Sequence, residues 1–178
     1  MMTEPGEAGD RGEAFDPFRY LEERFGIPAE PLRERYRVFQ QGGKQAFLVS
    51  RDLQLPEELE VSFRGLSFMR LRSKPPKPTT DAVLAFGHMA TRNVVSLSDT
   101  QLSAYVSRTA GLIPPEQLES CDGGGHVIVR HRHISIGLGR LLAPTSAAAQ
   151  EISDLDASTA PAGSRILESW YPKRFARG

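Results

Sequence analysis

Residues 125–142, GHVIVRHRHISIGLGRLL, constrain the fold more than any other part of the chain. Val127 and Val129 lead into Arg130, His131, Arg132 and His133, and Ile134 and Ile136 lead out toward Gly137, Leu138 and Gly139. Apolar residues alternating on both sides of a short polar centre predict a β-hairpin with one buried face. Gly137 and Gly139 lie two apart, so in a strand they share a face and leave bare backbone that another backbone or a ligand can approach closely. No acid falls in this stretch, whereas Arg130, Arg132 and Arg140 do. A basic hairpin tip beside a bare strand suits a polyanion better than a small neutral substrate.

The chain has 178 residues, room for one ordinary domain or two small ones. No apolar run approaches the roughly 20 residues that span a bilayer. The opening MMTEPGEAGDRGEAFD is acidic and has no apolar stretch of the secretory kind. The single cysteine, Cys121, allows no internal disulfide and fits a reducing compartment. These features predict a cytoplasmic protein with no membrane partner. Net charge is zero, but its distribution is uneven. Residues 1–16 carry −4, 17–63 carry −1, 64–142 carry +5, 143–164 carry −3 and 165–178 carry +3. A local patch governs steering and phosphate contact more than the sum does.

Residues 1–15, rich in Gly, Glu and Asp, read as a disordered acidic tail. Asp16-Pro17 starts a short helix with Phe18, Leu21 and Phe25 on one stripe and Gly26 as its stop. Residues 28–35 read as a second helical turn or short helix. A hairpin follows, with 37–39 and 46–49 flanking a Gly42-Gly43 turn. Residues 16–52 thus form a small αβ module. In 65–73, GLSFMRLRS, apolar Leu66, Phe68 (with or without Met69) and Leu71 against Arg70 and Arg72 predict a half-buried strand with a basic outer face. The run KPPKP at 74–78 predicts an exposed loop carrying Lys74 and Lys77, because proline gives no ladder donor. Residues 82–86 are helical or extended. Residues 93–97 predict a strand, and the capping box Ser98–Gln101 starts a helix to about Arg108. Residues 143–164, small and polar, read as a flexible insertion before an aromatic, basic ending, RILESWYPKR.

Taken in order, FGIP (25–28), GLSFMRLR (65–72), KPTTDAVLAFG (77–87), RNVVSLS (92–98), IGLGR (136–140) and YPKRF (171–175) resemble one known module. It is the PUA-like RNA-binding C-terminal region of RsmF-type (Nop/Sun class) rRNA cytosine-5 methyltransferases. That resemblance implies an α/β (α+β) fold, with the small αβ module followed by a PUA-like mixed β pseudo-barrel over 53–178. It implies structured RNA as partner, rRNA first, or a separately encoded methyltransferase in ribosome biogenesis, with no DNA expected. The chain departs from the family where the chemistry lies. It shows neither the S-adenosylmethionine-binding Rossmann-like domain nor the Pro-Cys nucleophile, since Cys121 stands in Ser-Cys-Asp. The expectation is therefore a non-catalytic RNA binder without cofactor, the alternative being a protein-interaction module that keeps the fold.

Other chemistry fits the residues less well. His126, His131 and His133 with Cys121 lack the thiolate-rich set of a structural zinc site and read better as base-stacking or phosphate-donating side chains. Cys121, beside a carboxylate, is not set up as a nucleophile. Gly123–Gly125 and Gly137/Gly139 lack the strand-to-helix setting of a phosphate loop. The candidate RNA-binding residues are Arg70, Arg72, Lys74, Lys77, Arg130, His131, Arg132, His133, Arg140, Tyr171, Lys173 and Arg174. Arg64, Arg70, Arg72, Lys74 and Lys77 make five positives in fourteen residues with no acid, and Tyr171 supplies an aromatic platform beside charge.

Overall fold

The computed structural model describes residues 15–54, 65–152 and 160–176. Residues 1–14, which make up nearly all of the expected acidic tail, lie outside the described residues, as do Arg64, 153–159 and the side chain of Arg174. Asp16 opens α1 (Pro17–Phe25) by accepting the amides of Phe18 and Arg19 at 3.0 and 3.3 Å. Gly26 closes it at φ 64°, where a Cβ would sit 2.1 Å from Thr91 Oγ1. After α2 (Ala29–Arg35) come β1 (Tyr36–Gln41) and β2 (Gln45–Ser50), joined through Gly42 and Gly43, both with positive φ. β3 (Leu66–Arg70) pairs with β2, and β4 (Lys77–Pro78) closes the edge, giving a sheet ordered β1-β2-β3-β4. This ladder carries the sheet across the expected break after residue 52.

Two expectations for this region need correction. β3 lies between β2 and β4, and α3 (Thr80–Phe86) packs on it, so Phe68 and Met69 are both fully buried. Of the supposed basic face only Arg70 belongs to the strand; Arg72 follows in the turn. The KPPKP run is not wholly an exposed loop: Lys77 and Pro78 form an edge strand, Lys77 half-buried and Pro78 buried. An edge is where a proline can join a sheet.

The second sheet is ordered β5-β7-β8-β9-β6. Its strands are β5 (Val94–Leu97), β6 (Gly111–Ile113), β7 (Gly125–His131), β8 (Ile134–Leu142) and β9 (Arg165–Ser169). β5 runs parallel to β7 and the other pairings are antiparallel. The capping box holds α4 (Asp99–Val106), with Ser98 Oγ accepting from the Gln101 amide and Gln101 Oε1 from that of Ser98. The 125–142 hairpin is thus central, not one-faced. Ile128 and Leu138 point into a core shared with α1, α2, α3 and the first sheet; Val127, Val129 and Leu141 point into a second core with Tyr105, Ile113 and Leu167. Asn93, fully buried at φ 52°, ties the halves: Nδ2 donates to the Arg24 carbonyl at 2.6 Å and Oδ1 accepts from the Asp122 amide at 3.0 Å.

The bare glycine backbone serves the interior. A Cβ at Gly137 would lie 2.4 Å from the Tyr105 hydroxyl, and one at Gly139 2.6 Å from Leu167 Cδ1. The close approach is made by the protein's own core and not by a ligand. The expected flexible insertion contains α5 (Ala147–Ile152), with Ala149 buried and its amide capped by Ser146 Oγ at 3.2 Å. The result is a mixed α+β protein with two sheets. Among the described residues no helix is long and apolar enough to cross a membrane.

Candidate nucleic-acid interface

A cleft of about 680 Å³ opens where the edge of the first sheet meets the C-terminal segment. β3 brings Arg70, β4 brings Lys77, the end of α4 brings Arg108, and the segment after β9 brings Trp170, Tyr171 and Lys173. Four bases therefore line the cleft, against a single carboxylate, Asp81. Arg108 sits just past α4 at φ 61°, and its guanidinium donates to the Tyr171 carbonyl, which fixes the C-terminal wall. Among the described residues, Arg70, Lys77 and Lys173 have no carboxylate partner.

Lys77 lies at the centre. Its ammonium sits 3.1 Å from the centroid of the half-buried Trp170 ring, a cation–π contact. The Arg140 guanidinium stands 5.9 Å from the same ring and is paired to Glu168 at 2.7 Å. The His126 imidazole packs edge-on to the ring at 4.8 Å, with Nδ1 3.2 Å from the Tyr20 hydroxyl. Burial, with Arg70 next, brings Lys77 down to about 8. Burial, then Lys77, Arg24 and Arg140, brings His126 down to about 4, so at neutral pH it is uncharged. Both shifts come first from burial, and repulsion from neighbouring cations adds to them. An anion entering the cleft relieves that repulsion. Burial also pushes the Tyr105 hydroxyl up, which suits its role as a donor to the Leu138 carbonyl at 3.0 Å.

The structure thus brings together Arg70, Lys77, Tyr171 and Lys173 from the sequence reading, with Arg140 behind Trp170. It adds Arg108 and Trp170, which the reading did not assign to the site. Arg108 had no local signal beyond ending a helix; Trp170 stood beside Tyr171 in an aromatic, basic ending. Arg72 and Lys74 are exposed in the turn after β3 and do not line the cleft.

At the hairpin tip, the four residues expected to contact RNA fall into two pairs, one engaged by the fold and one exposed. Arg130 donates to the carbonyls of Gly87 at 2.5 Å and Ala90 at 2.9 Å, pinning the turn after α3. His131 Nδ1 lies 3.1 Å from the Leu97 carbonyl, and Nε2 lies 3.2 Å from Asp99, with the side chain only 18% exposed. Arg132 takes the left-handed turn position at φ 56°, with its guanidinium 3.8 Å from the same Asp99. Of the four, Arg132 and His133 are exposed. His126, expected with the other two histidines to stack on bases or donate to phosphate, is instead buried beneath Trp170.

Among the described residues no group of three or more His, Cys, Asp or Glu side chains is placed to hold a metal. Burial, more than the neighbouring Asp122, pushes the Cys121 thiol up, and its sulfur lies 3.6 Å from the Val94 carbonyl. No protein-family model matches the chain, and a search of curated proteins gives no match.

Proposed function

We propose that this chain is a non-catalytic RNA-binding protein that takes RNA into the cleft between the first sheet and the C-terminal segment. One observation carries the reading: cations from four separate segments converge there beside Trp170 and Tyr171, with one acid among them. Guanidinium and ammonium groups supply the salt-dependent phosphate term, and aromatic side chains supply stacking surface. The PUA-like character of the second half rests on the resemblance of its ordered motifs. So does ribosomal RNA as the target, in ribosome biogenesis or beside a separately encoded methyltransferase.

A filter-binding titration of the purified chain against total rRNA, repeated across a salt series, tests the reading. Binding should weaken steadily with salt, with a log–log slope of about −0.7 to −0.9 per phosphate contact. Affinity indifferent to salt, or absent at low salt, removes it. The neutral overall charge and the exposed Leu84 and Ile134 favour the second reading, a protein-interaction module. A single protein partner retained after nuclease treatment would select it.

A further inference from the structure

Beside the cleft lies an apolar groove of about 490 Å³, and no charged side chain lines it. Leu84, Ile134 and Phe175 present themselves there at 55, 60 and 56% exposure. Thr80, Tyr171 and Pro172 line both cavities, so one wall separates a cationic trough from an apolar one. Large apolar side chains gathered at the surface mark a binding face.

The two troughs match the two sides of an unpaired nucleic-acid strand. Such a strand displays phosphates along its backbone and the flat, weakly polar faces of its bases to the side. In a duplex those faces are stacked inside the helix and only backbone and groove edges are shown, which leaves an uncharged groove nothing to contact. A protein segment seated in the groove alone would leave the cations of the cleft unused. Charge complementarity in the trough, and its continuity with the groove across a shared wall, favour one ligand that satisfies both.

We propose that the site selects an unpaired RNA strand, with phosphates against Arg70, Lys77, Arg108 and Lys173 and bases crossing Tyr171 and Pro172 onto Leu84, Ile134 and Phe175. This rests on the RNA reading and narrows it to single-stranded segments of a structured RNA.

The test compares an oligouridylate with a blunt RNA duplex of equal length by fluorescence anisotropy on the full chain. The oligouridylate should bind about tenfold or more tightly than the duplex, as stacking of even one base allows. Ile134→Ser with Phe175→Ser should erase that preference while leaving duplex affinity and the salt slope in place; Phe175→Tyr should retain it. Both side chains are more than half exposed, and a circular-dichroism melt checks that the variant folds. Duplex binding as tight as single strand, or a double variant that weakens both ligands alike, overturns the inference while the RNA reading stands. So does sedimentation showing a dimer that the double variant dissociates, since a second copy would then cover the groove. Salt-dependent binding of neither RNA overturns the reading beneath it as well.

Discussion

In the cleft, Arg70 is exposed and Lys77 lies against the Trp170 ring, neither with a carboxylate partner among the described residues; at the hairpin tip, Arg130 is bonded to backbone carbonyls and His131 to a carbonyl and Asp99. The tip is the denser basic run in sequence, yet the cleft has the available charge. What separates them is the supply of acceptors. β7 runs parallel to β5 and beside the turn at 87–90, so its polar end meets the carbonyls of Gly87, Ala90 and Leu97. The cleft is walled by an edge strand and a proline-containing terminal segment, and its basic side chains have few such neighbours. A cation held by several carbonyls or by a carboxylate braces the fold; Arg70, Lys77 and Lys173, with no carboxylate partner among the described residues, are left for a phosphate.

The largest expected effect breaks the tip and spares the cleft. Arg130→Ala removes both donors to the 87–90 turn and should cost about 3 kcal/mol of stability by chemical denaturation, with RNA affinity of the folded fraction unchanged. Next comes the acid limit of the imidazole buried beneath Trp170. His126 has its folded value near 4 against an ordinary value near 6.5, so as pH falls the unfolded chain takes the proton first. Stability is therefore full above about pH 6.5 and is lost toward pH 4, by at most about 3 kcal/mol. Denaturation midpoints across that window should show the loss, and His126→Gln should flatten it. Third, Arg70→Gln with Lys77→Gln should weaken RNA binding about tenfold and lower the salt slope by about 0.7 to 0.9 per cation removed, with little change in melting. The smallest effect is at the exposed tip: Arg132→Gln with His133→Gln should stay within about 0.5 kcal/mol in stability and leave the binding isotherm superimposable on that of the parent.

Much of the scaffold was legible because its signals are local. Asp16-Pro17 with Gly26, the Gly42-Gly43 turn and the Ser98–Gln101 capping box each act within a few residues. Misreadings arose where the deciding neighbour is distant. The alternation in 125–142 is real, but both faces are covered by elements from elsewhere in the chain, and nothing in the hairpin itself tells of that. Arg130 looked available because its acceptors lie some 40 residues upstream. Arg108 looked incidental because the carbonyl it bonds at the cleft wall, that of Tyr171, lies 63 residues on. α5 is the exception, since its signal was local: Ser146 followed by three alanines is a capped run of the best helix former.

The most direct test of the account is ultraviolet crosslinking of bound RNA followed by peptide mass mapping. Adducts should fall on the peptides carrying Lys77 and Trp170–Tyr171, and should fade as salt is raised. Adducts confined to residues 130–133, or none at all under conditions where RNA is retained, would contradict it.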